Sequence, residues 1–117
     1  MSAAAAAAPI TWDDFVKVDV RVGRIVAAEA FPEARKPAYR LRIDFGALGE
    51  RRSSAQITKR YRAAELPGRL VVAVVNFPPK RVAGFVSEVL VLGAMAADDD
   101  VILLAPDQDV APGTRIA

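Results

Sequence analysis

The stretch Asn76 to Leu92, NFPPKRVAGFVSEVLVL, decides the fold. The run leading into it, Leu70 to Val75, is apolar without interruption, as a central strand has to be. Pro78 and Pro79 end that strand, because neither has an N–H to give to a ladder. Lys80 and Arg81 follow on stiff, exposed backbone. Ala83-Gly84 allows a sharp reversal, since glycine carries no Cβ to clash at positive φ. Phe85 to Leu92 then returns as a second apolar strand. Two apolar strands joined by a rigid loop with two cations at its tip have two readings. One is a hairpin with a solvated basic loop; the other is a positively charged lip on a β-barrel, suited to a polyanion.

Outward from this stretch, the N-terminal side begins with a helix start. Thr11 is placed as N-cap with Asp14 completing a capping box, and Ile10 and Phe15 are spaced for a hydrophobic staple. The spacing predicts a short helix that plugs one end of a barrel. Val18, Val20 and Val22 alternate with Asp19, Arg21 and Gly23, the pattern of a half-buried strand. The phase slips at Gly23-Arg24, and a β-bulge at Gly23 is the expected cause. That strand ends near Phe31-Pro32, and Glu33 to Pro37 is a loop. Tyr39, Leu41, Ile43 and Phe45 alternate with Arg40, Arg42 and Asp44, so one face enters the core and the other carries two arginines. After a turn at 46–49, Arg51 to Ile57 make a third strand. Thr58 to Leu66 read as a short helix exposing Lys59, Arg60 and Arg62, stopped by Pro67-Gly68.

Glu88 faces solvent by alternation along its strand. Asp98-Asp99-Asp100 reads as a solvated turn, since three adjacent carboxylates on a turn point in different directions and make a poor metal cage. Val101 to Leu104 is a further strand, and Pro112-Gly113 turns into a short last one near Ile116. The Ala3–Ala8 tract has no charged segment before it and does not read as a signal peptide. Residues 1–9 are expected to be a disordered Ala-rich tail and residues 10–117 a single domain. No apolar run approaches the ~18 residues of a membrane span, so no membrane insertion is expected.

Composition removes most enzymatic readings. There is no cysteine and no histidine, hence no thiolate metal site, no Ser-His or Cys-His nucleophile pair and no imidazole base. No phosphate-cradling glycine motif is present. No cofactor and no metal are expected, and the missing cysteines suit a reducing cytoplasm. The net charge of +2 hides an asymmetry. Residues 35–81 hold twelve cations against three anions, whereas residues 86–117 hold one cation against six anions. Such a chain presents one side to a polyanion. Arg40, Arg42, Arg51, Arg52, Lys80 and Arg81 are the candidates to contact phosphates, with the hydroxyls of Ser53 and Ser54 beside them.

Several separated motifs carry a family resemblance. They are Asp19-Val20-Arg21-Val22-Gly23, Phe31-Pro32-Glu33-Ala34-Arg35, Ser53 to Tyr61 (SSAQITKRY), Asn76 to Arg81 (NFPPKR), Ala83-Gly84-Phe85 and Ser87 to Gly93 (SEVLVLG). From about Trp12 to Ile116 the chain resembles the tRNA-binding domains of the EMAP II type. Within them it is most similar to the CsaA-type branch, described as export-related chaperones. The resemblance implies an all-β fold, a five-stranded OB barrel with a short N-terminal helix and extra C-terminal strands. It implies tRNA as partner, a homodimer formed by segments outside the barrel, and RNA contacts from Ser87 and Leu90. The second of these places is methionine in many family members. The same resemblance implies an alternative, a chaperone that binds apolar segments of unfolded preproteins in a dimer groove lined by Phe77 and Phe85. With 53 % apolar residues in so short a chain, a surface buried by self-association fits either reading.

Overall fold

The computed structural model describes residues 5–117, and its first element is the helix that Thr11 caps. In α1 (Trp12–Val16), Thr11 Oγ1 accepts from the Asp14 N–H while Asp14 Oδ2 accepts from the Thr11 N–H, each at 3.1 Å. This reciprocal box satisfies two of the donors that a helix start leaves open. Phe15 packs on Trp12, with ring centroids 5.4 Å apart, and Ile10 is exposed, so an aromatic pair replaces the expected staple. The helix does not plug the barrel: none of its residues is buried. Polar bonds at its C-terminal end hold it outside, from Asn76 Nδ2 to Lys17 O at 2.7 Å and from Arg115 Nη2 to Val16 O at 2.9 Å. Of the alanine-rich tail, residues 1–4 lie outside the described residues, and residues 5–9 are exposed without regular structure.

Nine strands follow: β1 (Val20–Ala30), β2 (Tyr39–Asp44), β3 (Glu50–Ala55), β4 (Leu70–Val74), β5 (Lys80–Val82), β6 (Phe85–Ser87), β7 (Leu90–Val91), β8 (Gly93–Ala97) and β9 (Asp100–Leu103). One antiparallel sheet has the order β3-β2-β1-β4-β7, and its two ends meet through residues 87–89. Glu88 N–H donates to Arg52 O at 2.8 Å, and Arg52 N–H donates to Glu88 Oε1 at 3.0 Å. Ser54 N–H donates to Ser87 Oγ at 3.1 Å, and Ser53 Oγ donates to Val89 O at 3.2 Å. Side chains thus complete a seam where a ladder would use backbone alone. The result is a nearly closed five-stranded barrel of the OB type. Glu88, expected to face solvent, is half-buried and seals this seam.

The bulge in β1 lies at Val26 and not at Gly23, because the register against β2 passes from Ile25↔Ile43 to Ala27↔Arg42. Gly23 is buried for a different reason. A Cβ there would stand 2.5 Å from Ile43 Cγ2 and 2.7 Å from Phe45 Cε1. The apparent slip of phase arises because the first half of β1 is covered on both faces. Gly23 and Ile25 look into the barrel, whose core holds Leu41, Ile43, Phe45 and Val71. On the opposite face Val20 packs with Val72 and Val74 beneath Leu92 and Ile116. Residues 113–116 supply that cover by pairing with the part of β1 that β2 leaves free. Gly113 N–H donates to Val22 O at 2.7 Å and Ile116 N–H donates to Val20 O at 2.8 Å.

The same junction holds a charged cluster. Arg21 forks onto Asp19 (Nε to Oδ1 2.6 Å, Nη2 to Oδ2 3.2 Å) and reaches Gly113 O at 3.0 Å. The hydrogen bond from Arg21 holds the Asp19 carboxyl below its ordinary 3.8; the charges of Arg21 and Arg115 act with it, and burial acts against it. A carboxyl depressed in the fold stabilises at pH values above its unfolded value, and that contribution is lost as pH falls through the folded value. Asp19→Asn is therefore expected to flatten the loss of stability on acidification below about pH 4, read from urea midpoints. An unchanged acid slope would show that the pair contributes nothing.

The hairpin β5–β6 turns at Ala83 (φ 47°) and Gly84 (φ 81°), two positive φ values in succession that match the right-handed twist of the strands. Lys80 and Arg81 lie on the arm before this turn rather than at its tip. Phe85 to Leu92 is not one strand: β6 pairs with β5, β7 pairs with β4, and the chain changes partner at Glu88-Val89. Residues 58–66 form a turn and a 3-10 segment, Ala63–Glu65, instead of the expected helix. Their side chains are drawn to the C-terminal hairpin β8–β9. Arg60 forks onto Asp100 (Nη2 to Oδ2 2.8 Å), Lys59 meets Asp99 at 3.4 Å, and Tyr61 Oη accepts from the Leu103 N–H at 3.0 Å. Among the described residues no helix is long and apolar enough to cross a membrane.

Candidate nucleic-acid interface

The fold sorts the cations of the basic middle into two groups. Arg40, Arg42 and Arg52 share one outer face, with Arg42 opposite Arg52 and Arg40 opposite Ser54 in the β2–β3 ladder. Each of the three stands beside a carboxylate: Arg40 3.2 Å from Glu29, Arg42 2.9 Å from Glu50 and Arg52 3.5 Å from Glu88. Aromatic rings back this row. The Arg40 guanidinium lies 5.3 Å from the Phe31 centroid and that of Arg52 lies 5.4 Å from the Phe85 centroid. The two rings meet edge to face at 5.5 Å. Phe85, named as a groove residue, is engaged here. Arg51 stands opposite Ile43, on the other face of β3. Ser53 shares that inner face, is only 1 % exposed, and has its hydroxyl on Val89 O. The structure therefore does not bring Arg51 and Ser53 to the surface that holds Arg52.

The second group has no carboxylate within 4.0 Å among the described residues: Arg35, Lys36, Arg51, Arg62, Arg69, Lys80 and Arg81. Four of them, Arg35, Lys36, Lys80 and Arg81, line a single open cleft of about 1680 Å³. The loop before β2, the β5 arm and the β8–β9 hairpin, with Asp98, contribute its lining. Ser54 and Gln56 from the end of β3 line it too, together with Ser87 to Val91. Unneutralised cations gathered around a concave, low-dielectric surface focus positive potential outward.

Three chemical features meet in this cleft. Ser87 Oγ accepts from Ser54 N–H, which leaves its own O–H free to donate outward. Leu90, named with Ser87 on the sequence, lies beside it and is half exposed. Phe77 and Met95 add two further exposed apolar side chains. Reading the sequence left out Arg35, Lys36, Gln56 and Met95 as site residues. Two adjacent cations in the proline-bracketed loop before β2 were the available signal for the first pair. Lys59 and Arg60, expected to be exposed cations, are held by Asp99 and Asp100. Among the described residues no group of three or more His, Cys, Asp or Glu is placed to hold a metal ion; Asp109 pairs with Arg24 at 3.0 Å.

A family model described as "Putative tRNA binding domain" matches residues 20–115, which takes in the barrel, the cleft and the C-terminal segment. The chain belongs to the tRNA-binding-domain family. Among solved structures, this tRNA-binding domain is similar to the chaperone CsaA of Bacillus anthracis, 56 % identical with a TM-score of 0.91 over 94 % of this chain and 100 % of that one. It is also similar to the CsaA chaperone of Picrophilus torridus, 54 % identical with a TM-score of 0.86 over 93 % of this chain and 100 % of that one. These likenesses make it a CsaA-like member of the family. The methionine–tRNA ligase of Porphyromonas gingivalis is 40 % identical over 114 residues, covering 97 % of this chain and 16 % of the ligase. The chain thus spans about a sixth of the length of such curated relatives.

Proposed function

We propose that this CsaA-like protein is a non-catalytic RNA binder that takes the phosphates of structured RNA, tRNA first, at the cleft. One observation carries the reading: Arg35, Lys36, Lys80 and Arg81 surround one concavity without a carboxylate partner, while most other cations have one. Ser54 and Ser87 are the hydroxyls placed to help, and Leu90 flanks them. Arg40, Arg42 and Arg52 lie outside the cleft lining, each beside a carboxylate. The absence of histidine and cysteine supports a binding role over a chemical one, and a cytoplasmic setting goes with an RNA ligand. The test is the affinity for tRNA as salt is varied. Four phosphate contacts give a slope of log K against log salt of about −3 to −4. A slope near zero, or no binding at low salt, removes the proposal.

The alternative, a chaperone for apolar preprotein segments, has support in the same cleft. Phe77, Leu90 and Met95 are 53 %, 49 % and 58 % exposed there. An apolar peptide held by such a lining would keep its affinity as salt rises, which separates it from RNA.

The homodimer belongs to this proposal as well. Ile10, Trp12, Val16 and Val18 around α1, and Ile102 and Leu104 at β9, are exposed apolar side chains outside the barrel. Covering them in an obligate interface would bury on the order of 2,000 Å² or more. Sedimentation at micromolar concentration is expected to give a dimer; a monomer alone would exclude it.

A further inference from the structure

We infer that the cleft seats an unpaired base, so that the favoured RNA is one presenting an unstacked nucleotide rather than a plain duplex. This rests on the RNA reading of the cleft and adds to it. A surface made only for phosphates would be polar throughout. Here the cations line the same cleft as three exposed apolar side chains, Phe77, Leu90 and Met95. Duplex RNA has nothing to lay on such side chains. Its base faces are stacked inside, and its accessible groove offers hydroxyls, base edges and phosphates. Only a base drawn out of the stack exposes an apolar face, and its own flanking phosphates bring it to the cations. Charge and apolarity in this arrangement therefore match a single nucleotide unit.

Phe77 is the side chain placed to take that face. Phe31 and Phe85 meet each other and Phe15 meets Trp12, whereas the Phe77 ring packs on no other ring among the described residues. It follows Asn76, whose side chain is tied to Asp19 N–H at 2.9 Å and Lys17 O at 2.7 Å, so the ring stands next to an anchored residue. The cleft also offers a group for the base edge. Gln56 is exposed within the cleft, and its amide bonds to no other described residue. A carboxamide presents a donor and an acceptor side by side, the pattern that matches a base edge with both.

The test uses the full chain and three RNAs in fluorescence anisotropy: a blunt duplex, the same duplex with a four-nucleotide single-stranded extension, and that extension made abasic. The base-bearing extension is expected to bind roughly 5- to 150-fold more tightly than the abasic one, the range that stacking of one base spans. Their salt slopes should be equal, because the phosphates are the same. Phe77→Ala, at an exposed position, should erase the difference between the two extensions. If base-bearing and abasic extensions bind alike, and both still depend on salt and on Lys80 and Arg81, the cleft binds RNA but seats no base. A base preference that survives Phe77→Ala overturns the inference too. If no RNA binds and an apolar peptide does, the RNA reading falls together with it.

Discussion

Replacing Arg35, Lys36, Lys80 and Arg81 together by alanine is expected to weaken tRNA binding about a hundred-fold or more at moderate salt. The same variant should flatten the slope of log K against log salt by about three units. The magnitude follows from exposed ion pairs to phosphate of about 0.7 kcal/mol each, inside the range such pairs span, so that four amount to about 2.8 kcal/mol. Four are removed together, and each takes its released counterion with it. The fold should not suffer, since all four side chains are exposed and none has an ion pair among the described residues to lose. Two comparisons make the result specific. Arg42→Ala removes a cation already beside Glu50 and should change affinity only slightly. Arg115→Ala loosens Val16 and Asp19, away from the cleft lining, and should leave the slope untouched. If the Arg42 variant loses as much as the fourfold one, the outer face of β2 and β3 is the contact surface.

The largest effect on stability is expected at Gly23 and Phe45. Phe45 is fully buried, and its ring occupies the space that a side chain on residue 23 would fill. Phe45→Ala should cost about 3–5 kcal/mol through lost burial and the cavity left behind. At roughly 4 °C or more per kcal/mol for a domain of this size, the melting point should fall by at least about 12 °C. Gly23→Val forces a branched side chain into Ile43 and Phe45 and should cost about 3 kcal/mol or more, because both neighbours are held by the core. Since each change acts through the same space, the double variant should be less damaged than the sum by about 1–3 kcal/mol. Strict additivity in chemical denaturation would contradict the close approach of β1 to Phe45.

What the chain discloses about itself depends on how far apart the partners are. The helix cap is a contact over three residues, Thr11 with Asp14, and it reads directly. Alternation reads equally well in β2, where one face is core and the other solvent. It misleads in β1, where Val20 and Val22 are covered by a segment some ninety residues on, so a two-sided strand imitates a bulge at Gly23. The true bulge at Val26 leaves no mark, because the alanines that follow it, Ala27 and Ala28, are small enough for either face. β8 escapes because glycine and alanine have little strand preference of their own; it is held by its pairing with β9 and by the docking of Arg60 on Asp100.

The site follows the same rule. Which cations are basic is written in the sequence, but which remain unneutralised is not. Arg52 with Glu88, and Arg60 with Asp100, are pairs formed across 36 and 40 residues. Only the closed barrel shows that these charges are engaged and that Lys80 and Arg81 are not. Ser87 was identifiable by resemblance; its dual position, accepting from Ser54 and open to donate, depends on the seam.

The most direct measurement of the central claim is a map of amide chemical-shift changes on isotope-labelled protein as tRNA is added at low salt. The changes should concentrate at residues 35–36 and 54–56, at Phe77, Lys80 and Arg81, and at residues 87–91, which border one cleft from four separate parts of the chain. Changes confined to the outer face around Arg42 and Glu50, or to helix α1, with the cleft silent, would contradict it.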